Sequence, residues 1–598
     1  MFEDFNCGEL EEALRGVEPR LFSFHIKLEE LAKAPDLSES KRKAYGLLSE
    51  VCGLYFRPDN IEAPFQPFAR LSDGRRSFSI DDLSDEDLAF LGTIVDSFHL
   101  SKLRARIADI LWVRRFKKAY EFGMKAIDAY LEVPLSPENW RVEEIGDQWL
   151  RGTFLALKLG KKDESFHGKT VLAHLCDRFQ EASIENGAYL RFLKRLLALF
   201  PVSAEQKRMI ADKIDQSARF HDASNDFLET RELLQAERAV ADDSVALQSR
   251  TAESFEKEIQ TLLPKLAGQH LRVQLLCNQL IEALRAIPEK RRAEFDVENR
   301  LKDAHAILVR CREHTTEDLK IIKSGPIDVS EMTDRVVKSF QGRSLADALE
   351  GFARISSQDE QSLRAEAERL IRKHPLLYIF SQHTLSEDGR IISETSGLTT
   401  VPRNEKEVAE NEKVIAKATM EAYLRHIKIS VEGILMPAFL TILEEHTFSF
   451  SDAVEIVRRS PLIPPNRYLA FARVLEFGFH GDHFSAIYIL CPEIENVVRV
   501  HLHGFGVKTT TVDKDGIEQE VGLSSLMEHP EVAQCLGKNF AWELRALFCD
   551  PNGPNLRNNF AHGLETNGLA QSIYAFYAWW LVFRMIMLLR RADEKPPA

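Results

Sequence analysis

Apolar positions recur every three to four residues through most of the first two-thirds of the chain, as in 190–199 and 266–284, whereas strand-like alternation is rare before residue 375. The punctuation agrees with helices. Ser203-Ala204-Glu205-Gln206 reads as a capping box, in which Ser203 and Gln206 satisfy each other's free backbone donors. Ser136-Pro137-Glu138 reads as a helix start, with Ser as N-cap and Pro at the first helical position. Segments of 15 to 20 residues between short turns predict stacked helical pairs, and no strict period emerges, so the expectation is a loose helical array. The stretch 57–74 lacks periodicity and holds Pro58, Pro64 and Pro67, which predicts a connecting loop. Lys323-Ser324-Gly325-Pro326 marks a break with a domain boundary near it.

Beyond residue 370 the texture changes. Short strands at 378–381 and 390–393 flank Glu387-Asp388-Gly389, and a second hairpin is predicted over 507–521 around Asp513-Lys514-Asp515-Gly516. Helices are predicted over 405–443, from 466 to 500, and again from Phe540 to an apolar helix at 569–590. The expected fold is mainly α, an N-terminal helical array followed by a helical bundle with two small β-hairpins. The expected regions are 1–200, 201–360 and 361–598, the last with its core at about 465–590. Small and aromatic residues in 104–130 have a spacing that resembles a tetratricopeptide helix pair, though a generic helical hairpin is the preferred reading.

Composition narrows the function classes. The 598 residues are 44% hydrophobic and 28% charged, which fits a soluble globular protein with several cores. A net charge of −14 argues against a sequence-blind coat for nucleic acid, although a local basic face can still bind RNA. The eight cysteines form no CxxC pair and are expected to be buried free thiols in a reducing cytoplasm. The start, Met1-Phe2-Glu3-Asp4-Phe5, is acidic and lacks an apolar signal core. The most membrane-like segment, 569–589, also carries Gln571, Ser572 and Arg584, so a buried core helix is expected and no membrane contact.

The most informative stretch is Asn555-Leu556-Arg557-Asn558-Asn559-Phe560-Ala561-His562-Gly563. It follows Asp550-Pro551-Asn552-Gly553-Pro554, turn formers that would start a helix with Pro554 at its first position. Asn558 and His562 then share a face, and Arg557 lies in the first turn beside free N–H groups that favour an anion. An Arg, an amide and a His so close together are the parts needed to hold a phosphodiester and move a proton.

The string Arg557-Asn558-x3-His562-Gly563, with Cys491-Pro492-Glu493-Ile494-Glu495-Asn496-Val497-Val498-Arg499 upstream and the Asp-Gly hairpin between them, resembles the HEPN superfamily. The string resembles the signature of one branch, domain-of-unknown-function family number 4209. The resemblance covers roughly the last 220 residues. It implies a helical bundle acting as a metal-independent endoribonuclease, with Arg557, Asn558 and His562 catalytic, no cofactor, and RNA (tRNA among the candidates) as substrate. Arg557 would hold phosphate oxygens and stabilise the charge of the transition state. His562 would move the proton of a ribose 2′-OH, and Asn558 would orient it or donate to phosphate. Because one motif supplies one His and the reaction uses both a base and an acid, a homodimer through the C-terminal bundle is implied. Glu495 and Arg499 read either as an intrahelical ion pair or as support for Arg557, with support preferred. The resemblance also implies anti-phage or stress defence in the cytoplasm, with a regulatory protein partner as a further expectation. The alternative is a non-catalytic scaffold or an RNA- or nucleotide-binding module that uses the bundle to dimerise.

Other candidates are weaker. Arg104, Arg106, Arg114, Arg115, Lys117 and Lys118, interleaved with Trp112 and Phe116, form the densest basic run and would suit an RNA backbone. A solvated helix face balanced by acidic neighbours is the preferred reading. His480, His483, His501 and His503 lack an accompanying zinc pattern, and no metal is expected. His174 and Cys176 read as structural. No GxxxxGK[ST], GxGxxG or GxSxG motif is present.

Overall fold

In the computed structural model the described residues are 4–69, 76–141, 144–160, 170–238, 241, 243–320, 325–386, 388–400, 402, 404–564, 568 and 572–589. Parts of the expectations on Asp73-Gly74, Lys323-Ser324, Glu387, 569–571 and Arg590 lie outside them. The protein is mainly α-helical, and its strands among the described residues form three two-stranded antiparallel ribbons. Two of these surround the expected Asp-Gly turns, Gln382–Leu385 with Ile391–Thr395 and Thr510–Val512 with Glu518–Glu520, but the first strand lies at 382–385 and not at the expected 378–381, which follows the 3-10 turn Pro375–Leu377 without pairing as a strand. The third, Tyr55–Phe56 with Phe65–Gln66, lies partly in the stretch expected to be a loop. Its three prolines flank or follow the paired residues, where no ladder donor is lost.

The chain divides into two compact units, Met1–Cys311 and Arg312–Ala598. In the first, each helix packs mainly on its sequence neighbours, as short connections dictate. The Ser203 capping box is present and opens the helix Ala204–Ala223. The Ser136 signal starts no helix: Ser136 and the Asn139 side chain close a turn on each other, and the next helix is Ile145–Lys158. The helices Ser101–Val113, Ala119–Leu131 and Ile145–Lys158 meet at a buried ion pair. Arg151 grips both oxygens of Asp109 at 2.9 and 3.0 Å, and the Tyr130 hydroxyl donates to the same carboxylate at 3.0 Å.

The second unit is built around the helix Ile573–Leu588, whose Trp579 and Trp580 are fully buried. Their indole N–H groups donate to the carbonyls of Val474 and Phe352 at 3.0 and 3.1 Å, so neither polar edge is left dry and unpaired. A Cβ at Gly478 would lie 2.0 Å from the Trp579 ring, which is why a glycine stands there. The core-helix expectation for this segment therefore holds for the described residues. A longer helix, Glu405–Glu445, has a window of mean hydropathy 1.4 that is long and apolar enough to cross a membrane, and half of that window is buried. It is interrupted by a π-turn at Val431–Leu435, just before Pro437, which has no N–H for the carbonyl four residues back.

His483 opens the helix His483–Gly504 and packs against the rings of Phe439, Phe576 and Trp579. Its Nε2 is buried with no partner among the described residues, and burial pushes its pKa down to about 4. The folded state therefore keeps this ring neutral, while the unfolded chain protonates it below about 6.5. The stabilisation is whole above that pH and is lost as pH falls toward 4. Between pH 7 and pH 4 the wild-type protein should lose on the order of 3 kcal/mol more than His483→Phe. Urea unfolding at both pH values reads this, and parallel losses in the two proteins would refute it.

Candidate active site

The motif is delivered by a strained turn. The Asn552 N–H donates to Asp550 Oδ1 at 2.8 Å, and a Cβ at Gly553 would sit 2.2 Å from the Ala546 carbonyl oxygen, so only glycine passes there. Asn555 adopts φ 47°, a left-handed conformation that asparagine tolerates better than most residues. This moves the helix start. The helix is Leu556–Ala561 rather than one beginning at Pro554, and the Pro554 carbonyl instead accepts from Asn559 Nδ2 at 3.0 Å. Leu556 and Phe560, 0% and 4% exposed, anchor the short helix to the core. His562 caps its C-terminal end, and Gly563 at φ 61° turns the chain away.

Arg557 lies in a shared charge cluster. Its Nη2 sits 3.1 Å from Glu495 Oε2, which also accepts the Leu523 N–H at 3.0 Å. The other oxygen of Glu495 accepts from Arg499 at 3.0 Å, and Arg499 in turn donates to the Val521 carbonyl at 2.8 Å and pairs with Glu520 at 2.7 Å. Burial alone would raise the Glu495 pKa, but the bonds from Arg499, the Leu523 N–H and Arg557 hold it below the ordinary carboxylate range. Glu495 and Arg499 thus touch the Arg557 environment directly, whereas Glu520 and the 521–523 backbone were not among the sequence candidates. The Asp-Gly hairpin that carries Glu520 was the available signal.

Arg557 and Glu495 line an open cavity of about 300 Å³ with Tyr488, Cys491, Pro492 and Phe560. Burial pushes the Cys491 thiol up to about 12, so it is no nucleophile at neutral pH. Asn558 does not line this cavity. It faces a second one, of about 550 Å³, with Asn555, Asn559, Thr384, Arg390 and Tyr574. His562 lines neither, and its exposed imidazole has no hydrogen bond among the described residues. Five helical steps separate Arg557 from His562, which sends their side chains out about 140° apart. One chain therefore presents the Arg557 guanidinium and the His562 imidazole without converging them on one point.

The basic run is dispersed. Arg106 is 2% exposed and lies over the Phe56 and Phe65 rings at 4.7 and 4.8 Å, which removes it from any RNA-facing set. Arg104 pairs with Glu132, Arg114 with Asp81 at 3.0 Å, and Lys118 with Glu121 at 3.4 Å. Arg115 and Lys117 remain exposed. The four histidines also go separate ways: His480 bonds to the Glu476 carbonyl, His501 to the Leu462 carbonyl, His503 to Thr509, and His483 packs in the core. No group of three or more His, Cys, Asp or Glu with metal-binding geometry occurs among the described residues.

A family profile for a domain of unknown function, DUF7380, matches residues 2–167, within the first unit. No curated protein and no solved structure matches the chain.

Proposed function

We propose that the C-terminal unit is a HEPN-type, metal-independent endoribonuclease that works as a homodimer. The observation that carries this is the placement of Arg557, held by Glu495 at the wall of an open cavity while His562 stands exposed at the end of the same short helix. A second copy facing the first would supply the missing convergence. One His562 takes the proton of the ribose 2′-OH as its oxygen bonds to the adjacent phosphorus. The P–O5′ bond breaks, and the second His562 protonates the departing 5′ oxygen. Arg557 holds the non-bridging oxygens as their charge grows. The products are a 2′,3′-cyclic phosphate and a 5′-OH, and DNA is spared because it lacks the attacking hydroxyl. The setting we favour is defence or stress response in the cytoplasm, with the N-terminal unit selecting the RNA or sensing a trigger.

One observation favours the scaffold reading instead. The cluster balances two guanidiniums, Arg557 and Arg499, against two carboxylates, Glu495 and Glu520, which lowers its pull on an anion. Total tRNA and a structured RNA incubated with the purified full-length protein in EDTA decide between them. Cleavage leaving cyclic-phosphate ends is expected. Intact RNA beside a dimeric protein would favour the scaffold.

A further inference from the structure

The cavity that holds Asn558 has a chemistry of its own. Its floor is fixed, because the Thr384 hydroxyl donates to Asn552 Oδ1 at 2.9 Å and ties the 382–395 hairpin to the turn before the motif helix. Asn559 is spent on the Pro554 carbonyl, but the amides of Asn555 and Asn558 make no hydrogen bond among the described residues. Each offers a donor and an acceptor side by side, the pattern that meets N7 and the 6-amino group of adenine. Tyr574 contributes a half-buried ring, a surface on which a base stacks. Arg390 is aimed by Asp388, which takes its Nε at 2.7 Å and leaves both terminal nitrogens without a partner among the described residues. A fork of that kind suits a phosphate. The volume, about 550 Å³, lies in the range of small-ligand sites.

We propose that this cavity binds an adenine nucleotide, with Asn555 and Asn558 reading the base, Tyr574 stacking on it and Arg390 holding its phosphate. The proposal rests on the reading of this unit as an RNA-handling site and gives that site a base preference. Both an unpaired adenine in RNA and a free adenine nucleotide have this chemistry.

The test uses the full chain carrying His562→Ala, so that no RNA is consumed, with AMP, CMP and a fluorescent adenosine hexaribonucleotide as probes. Asn555→Gly removes the amide while suiting φ 47°, and Arg390→Gln removes the fork at the surface. AMP should bind about tenfold or more tighter than CMP, and each substitution should weaken AMP by about tenfold, the scale of one lost bidentate pair, with the thermal midpoint unchanged. Weakening of the hexamer by the same substitutions identifies RNA as the source. A hexamer indifferent to them, with AMP still sensitive, identifies the free nucleotide. Equal binding of AMP and CMP, no binding of AMP or hexamer, or binding insensitive to both substitutions overturns the proposal. The two readings fail separately. RNA cleavage by the unsubstituted protein without AMP selectivity removes only the adenine site, and AMP selectivity without cleavage removes only the ribonuclease.

Discussion

His562→Ala should lower the rate of RNA cleavage by about 100- to 10,000-fold, the usual worth of a positioned acid–base group. It should do so without moving the thermal midpoint. The imidazole is exposed and has no hydrogen-bond partner among the described residues, so its removal orphans none of them. That separation makes the variant decisive, because a loss of activity cannot be traced to a loss of fold. Arg557 is a less clean target: its removal also deprives Glu495 of a partner in a half-buried cluster. The measurement is the initial rate on total tRNA in EDTA for the wild type and the variant at equal concentration. Equal rates would mean that the cleavage comes from a contaminant or from another site.

Asp109→Ala should destabilise the first unit by about 3–5 kcal/mol, the cost of stranding one member of a buried ion pair. Arg151 has no exposed surface to which its charge can retreat, and both Asp109 oxygens serve it. Tyr130 would lose its acceptor at the same stroke. Replacing both charges, Asp109→Leu with Arg151→Met, should recover most of the loss, since two apolar side chains leave no uncompensated charge. Urea unfolding of the single and double variants measures this. A single variant within 1 kcal/mol of wild type would show that water reaches the guanidinium.

The sequence made some of this legible and hid the rest for physical reasons. Local rules sufficed where the partners are a few residues apart, as in the Ser203–Gln206 box or the Asp-Gly hairpins. The burial of Trp579 and Trp580 was legible from the apolar run around them. Arg106 was misjudged because the rings that take it inside, Phe56 and Phe65, lie some forty to fifty residues away on a ribbon whose prolines read as loop. Ser136 and Asn139 make the reciprocal bonds of a capping box, yet only a single turn follows at 137–140, so a cap by itself made no helix. In the motif, residue types and spacing picked out Arg557, and the upstream Glu495 does reach it, with Arg499 bonded to the other oxygen of Glu495. Sharing a helix face said nothing of which cavity each side chain meets. The left-handed Asn555 sets that rotation, and its backbone is fixed by the turn before it.

The π-turn at Val431–Leu435 has a consequence for how the long helix is read as a ruler. Met436 N–H bonds back to the Val431 carbonyl, five residues away, so one residue is added without a full turn being completed. Each residue of a regular helix advances the azimuth by about 100°. The side chains before and after the turn therefore run in two different phases, and no single heptad wheel describes 405–445. Tyr423 meets Trp542 and Tyr577 in the first phase, and Phe439 meets Trp579 in the second. Removing one residue from the turn would make the helix more regular and the protein worse, because every contact beyond it would be aimed at the wrong neighbour.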